Sequence, residues 1–118
     1  MSQAFGPGDD LVFQMESGFG LMRVLAVAGE GAGAVWHLLV YEEFYPDVES
    51  AEAALSARGP LAVRVPHVAL TDHAFSKTPA ARLGNRPVSE EELNAYRRWS
   101  EAGASPHDRS LLGMLGMR

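Results

Sequence analysis

Apolar residues alternate with polar ones early in the chain and return at helical spacing towards its end. In Asp10-Leu11-Val12-Phe13-Gln14-Met15-Glu16, Leu11, Phe13 and Met15 share one side of a two-residue period, and Val12 stands on the other. Ser17-Gly18 supplies a tight turn into Phe19–Val27, and this spacing predicts a hairpin. Gly29-Glu30-Gly31-Ala32-Gly33 is a second turn. Ala34–Tyr41 is apolar on both sides of the period, which predicts a central strand covered on each face. Leu61–Val65 alternates again and reads as a fourth strand ended by Pro66. Ala80–Pro87 fits either a fifth short strand or an extended crossover.

Helical signals lie between and after these runs. Val48–Ala57 is rich in Ala and Glu, with Asp47 placed as N-cap and Gly59-Pro60 as the stop. Thr71–Phe75 predicts one helical turn. The strongest helix runs from Ser89 to about Ala102. Ser89 and Glu92 have capping-box spacing, and Val88 and Leu93 sit where a hydrophobic staple would. Glu90, Glu91 and Glu92 crowd its positive end, and Arg97 and Arg98 lie towards its negative end. Leu93, Tyr96 and Trp99 form a stripe suited to docking on a sheet, and Gly103 follows as a C′ residue. Residues 103–118 read as an amphipathic tail beyond a core of about residues 6–102. The expected architecture is α+β: a small, strongly bent antiparallel sheet or SH3-like barrel of 4–5 strands with a docked C-terminal helix. Residues 1–118 are read as one domain, without repeat or linker.

Composition narrows the function classes. The 118 residues include no Cys, which excludes disulfides, thiol nucleophiles, CxxC redox pairs and Cys-ligated metals. The formal charge of −5 is uneven. Residues 1–57 hold nine acids against one base, Arg23, a balance of −8; residues 58–118 hold nine bases and six acids, a balance of +3. This acidic average with scattered bases argues against nucleic-acid binding, which draws its affinity from Lys and Arg on phosphates. Nine Arg to one Lys, with 17 Ala, are the mark of a GC-rich, bacterial coding sequence. No apolar run reaches the ~18 residues of a spanning helix. Residues 1–10 lack the basic and apolar regions of an export leader. A cytoplasmic location without a membrane partner is expected.

Candidate chemistry is sparse. His67 and His73 stand six apart with Asp72 adjacent to His73, a region that could serve a small-molecule or hydrolytic site. No metal-ligand spacing accompanies them, and structural or surface roles are the simpler reading; no metal and no cofactor are expected. His37, in the apolar run, reads as a hydrogen-bonded sheet residue. Glu42 and Glu43 are adjacent on a strand and point to opposite faces, so they cannot share one proton unless a bulge intervenes. No GxSxG, dinucleotide fingerprint or phosphate loop occurs. Phe44 and Tyr45, ringed by Glu42, Glu43, Asp47 and Glu49, have the make-up of a protein-binding rim with apolar anchors and steering charge. The alternative for Phe44 is packing beneath the helix that follows. Self-association through the central strand, or through Leu111, Leu112, Met114 and Leu115, is a further arrangement open to the sequence.

Several motifs together resemble a known group. They are Gly8-Asp9 opening a strand, Ser17-Gly18-Phe19-Gly20-Leu21-Met22-Arg23-Val24-Leu25, and Val40-Tyr41 leading into Phe44-Tyr45-Pro46. Pro66-His67-Val68-Ala69-Leu70, Phe75 and the closing helix Val88–Trp99 complete the set. Over roughly residues 6–101 the chain resembles a family of small bacterial β-rich domains, and its strand portion is similar to immunity proteins of polymorphic-toxin systems. Neither group supplies a catalytic motif to transfer. The resemblance implies a bent sheet with a helix, binding a protein partner rather than turning over a substrate; the −8 charge of the first half points to a partner of basic character.

Overall fold

The structure is a computed structural model that describes residues 5–57 and 60–116. Five strands form one antiparallel sheet: β1 (Asp9–Met15), β2 (Gly18–Ala28), β3 (Val35–Tyr45), β4 (Val63–Thr71) and β5 (Ala80–Asn85), in the order β4-β3-β2-β1-β5. Its ends, β4 and β5, do not pair, so the sheet stays open and the expected alternative of a barrel does not form. Four α-helices accompany it among the described residues: α1 (Val48–Ser56), α2 (Asp72–Ser76), α3 (Glu90–Glu101) and α4 (Leu111–Leu115). The helix stop expected at Gly59 lies outside the described residues, as do Met1–Ala4 and the last two positions of the tail.

Strand alternation sorts the side chains into two cores, one on each side of the sheet. Leu11, Phe13, Met22, Val24, Trp36, Leu38 and Leu70 build the first, closed by Phe75 of α2 and Leu111 of α4. Trp36 stacks on Phe75 with ring centroids 4.2 Å apart. Val12, Leu21, Leu25, Leu39 and Tyr41 build the second, covered by Ala51 of α1 and by Leu93 of α3 at its margin. The second core explains Val12, the residue that broke the alternation of β1. Phe13 needs a neighbour without a side chain: it faces Gly20 across the β1–β2 ladder, and a Cβ there would overlap its ring.

Two strands run past their expected ends, each through long-range pairing, and a third segment is resolved between its two readings. β3 continues to Tyr45, because Phe44 and Tyr45 pair with Gly20 and Phe19 at the far end of β2. β4 runs through Pro66 instead of ending there. It is an edge strand, and its register shifts between Val65 and Val68, so a residue without an N–H fits. Ala80–Asn85 is a true strand, paired with β1. The segment read as a tail adds to the core through Leu111, which is fully buried. Ser110 caps α4, and His107 bridges to Leu70 beside β4. β3 is paired on both sides and Leu111 is covered by its own chain, whereas Leu112, Met114 and Leu115 of the same segment are half-buried.

Candidate functional site

The lone base of the acidic half, Arg23, is 1% exposed and lies under the start of α3. Its Nε donates to Glu92 Oε2 at 2.7 Å. Nη1 donates to the Gly8 carbonyl at 2.9 Å and to Asp10 Oδ1 at 3.3 Å. Nη2 donates to the carbonyls of Arg86 and Pro87 at 2.9 and 3.0 Å. A guanidinium has five N–H donors, and these partners occupy them all. Arg23 is therefore a clamp between β2, the Gly8 turn, the end of β5 and α3, with no donor left for a ligand. Around it, Arg86 Nε reaches Asp10 Oδ2 at 3.1 Å, and Asn85 Nδ2 reaches Asp9 Oδ1 at 2.8 Å.

Glu92 serves two structures at once. It completes the capping box of α3, accepting the Ser89 amide at 2.9 Å while Ser89 Oγ accepts the Glu92 amide. Burial opposes its charge, but the Ser89 amide and Arg23 outweigh that and hold its carboxyl below the usual range. Tyr41 stands beside this network. Burial, and then the Asp10 charge, push its phenol up.

Beyond the clamp lies an open groove of about 1010 Å³. Leu39 and Tyr41 form its floor, Leu55 of α1 and Ala95 of α3 its sides, and Leu61 and Val63 the approach to β4. Arg86, Arg98, Glu91 and Asn94 stand at the polar margin. Val63 is 43% exposed, a large apolar side chain open to solvent at this groove. Apolar walls with a few polar groups are the usual make-up of a binding site.

The acidic residues singled out from the sequence are not among the residues that line this groove. The segment 42–49 joins Tyr41 on the floor to α1 on the side, and the Glu42 amide bonds the Ala62 carbonyl at 2.9 Å. Glu42, Glu43, Asp47 and Glu49 are exposed, and Tyr45 is half-buried against the second core. Phe44 does not pack beneath the helix: it is 40% exposed, with the Arg64 guanidinium 5.8 Å above its ring. Asp47 has a structural duty, since its Oδ1 accepts the Ser50 amide at 2.7 Å as the N-cap of α1, a bond that lowers its pKa. Asp9 and Asp10, by contrast, are buried in ion pairs and add nothing to the acidic surface.

The trio His67, Asp72 and His73 is not brought together. Asp72 accepts the Trp36 indole N–H at 3.0 Å, whereas His67 meets His37, the next residue along β3, whose side chain lies on the opposite face. His73 is exposed. Among the described residues no group of three metal-ligating side chains converges. His37 is buried as expected of a sheet residue, but its partner is another imidazole, with His37 Nδ1 and His67 Nε2 2.9 Å apart.

Sequence reasoning missed the groove and the clamp that backs it. Arg23 was the available signal, because an arginine inside an apolar strand is buried only with partners. Those partners, Asp10, Glu92 and three carbonyls, come from segments the sequence does not juxtapose. Comparison with protein-family models, curated proteins and solved structures yields no match.

Proposed function

We propose that this protein is a non-catalytic interaction domain, of immunity or regulatory kind, which takes an apolar segment of a basic protein partner into the groove. The observation that carries this reading is an open, apolar-walled groove, with the exposed carboxylates Glu42, Glu43, Asp47 and Glu49 on the segment that joins its floor residue Tyr41 to α1. Apolar walls supply the area for binding, and the exposed acidic segment 42–49 accelerates encounter and selects a partner of opposite charge. The resemblance to immunity proteins points the same way.

A fluorescein-labelled amphipathic Lys/Leu peptide is a direct probe, read by anisotropy. Its affinity should fall about tenfold in Glu43→Lys/Glu49→Lys, a pair that spares the Asp47 cap. It should fall further as salt rises, and also in Val63→Arg, which plugs the groove. Binding indifferent to salt and to both variants overturns the proposal. The groove volume also suits a small apolar ligand. An apolar fluorophore that ignores the charge reversal but is lost in Val63→Arg would favour that second reading.

A further inference from the structure

Helix α3 has two working sides. Glu91, Asn94, Ala95 and Arg98 line the groove, while Tyr96 and Trp99 rest on His37 and His67. The two imidazoles lie nearly parallel, 15° apart with centroids at 5.2 Å. The Tyr96 and Trp99 rings close over His37 at 4.3 and 4.8 Å. Ala26 of β2 and Ala69 of β4 flank His37 in the sheet, and their small side chains leave room for this aromatic stack. We propose that the His37–His67 pair is a proton-operated latch on α3, which holds this wall of the groove in place while both rings are neutral and releases it on acidification. The latch rests on reading the groove as the binding site.

The chemistry follows from the 2.9 Å contact between His37 Nδ1 and His67 Nε2. With both rings neutral, one of these nitrogens carries a hydrogen and the other accepts it. A first added proton places a charge on the pair in a mostly apolar site. A second puts hydrogens on both facing nitrogens, abolishes the bond and sets two cations against each other. The rings must then part. β3 is fixed by ladders on both sides and β4 by its ladder to β3, whereas α3 has no fully buried residue and is held by side chains alone. The part of the helix beyond the Glu92–Arg23 bond, which carries Tyr96 and Trp99, is the piece free to move.

Among the described residues no carboxylate pairs with either imidazole. From β4 the group facing His37 is His67, and from α3 it is Tyr96; β2 presents Ala26. Arg23 of β2 and Glu92 of α3 are bound to each other, and Glu90 is paired with Arg97 at 2.7 Å. His107 borders a small cavity of about 180 Å³ beside His67 and Trp99. Burial, with the His67 charge second, brings His37 down to about 4, and burial also lowers His67. A histidine lowered in the folded state stabilises fully above its unfolded value of 6.5. That contribution is lost as pH falls from there towards 4.

Amide hydrogen exchange, corrected for intrinsic rates, tests the latch. Between pH 7 and about pH 4.5, protection across α3 should fall at least tenfold relative to β1–β3. The labelled Lys/Leu peptide should be released over the same range. His67→Phe keeps every carboxylate and removes the pair, so both pH effects should shrink in it; His67→Asn serves if the Phe variant does not fold. The same pH dependence in wild type and variant overturns the latch. A peptide that fails to bind even at pH 7, with the exchange effect intact, supports the latch and overturns the groove reading instead.

Discussion

Arg23 shows how much one side chain can organise. Replacing it with Met removes a charge that Asp10 and Glu92 require and strands three carbonyls. Breaking a buried pair from one side is costly, so Arg23→Met should lose about 3–5 kcal/mol in urea unfolding. Arg23→Lys should recover little, because an ammonium has three donors and lacks the planar fork. Adding Asp10→Asn and Glu92→Gln to Arg23→Met should restore part of the loss. The sequence marked Arg23 as unusual, a lone base among apolar residues, but it could not place Glu92, 69 positions away, against it. Glu92 itself was legible as a cap because Ser89 lies three residues before it. Its second role depends on the fold.

Elements were legible where their signals were local. The Asp47 and Ser89 caps, the Thr71 turn and Gly103 after α3 all fall where short-range chemistry puts them; the first hairpin turns one residue earlier than expected, at Glu16-Ser17, because Gly18 already pairs with Met15. Boundaries failed where a distant strand decided them. Tyr45 belongs to β3 through Phe19, and Pro66 is tolerated through its edge position. α1 is the element in which local and functional roles meet. Asp47→Ala should cost about 1 kcal/mol by thermal or chemical unfolding, the usual penalty for a lost N-cap. Partner binding measured on that variant must be corrected for this loss, whereas Glu43 carries no such duty.

The whole molecule covers its sheet on both faces, and the cover comes from the ends of the chain as well as the middle. α4 closes the first core with Leu111, while Leu112, Met114 and Leu115 pack against it. A chain ending at Gly103 should therefore lose several kcal/mol in thermal unfolding, as large core truncations do, where a free tail would change nothing. No described helix is long and apolar enough to cross a membrane. Covering at this scale was only half visible in the sequence. The doubly apolar β3 announced it, but periodicity did not say which segments would supply the lids.

The clamp also orders events in time. Asp9 meets Asn85 across 76 positions, so β1 and β5 cannot pair until that whole span of chain has been synthesised. A chain emerging from the ribosome N-terminus first thus carries Asp10 and Arg23 without Arg86 and Glu92 until synthesis has passed α3. During that interval the first hairpin is exposed to whatever else in the cell offers it a partner.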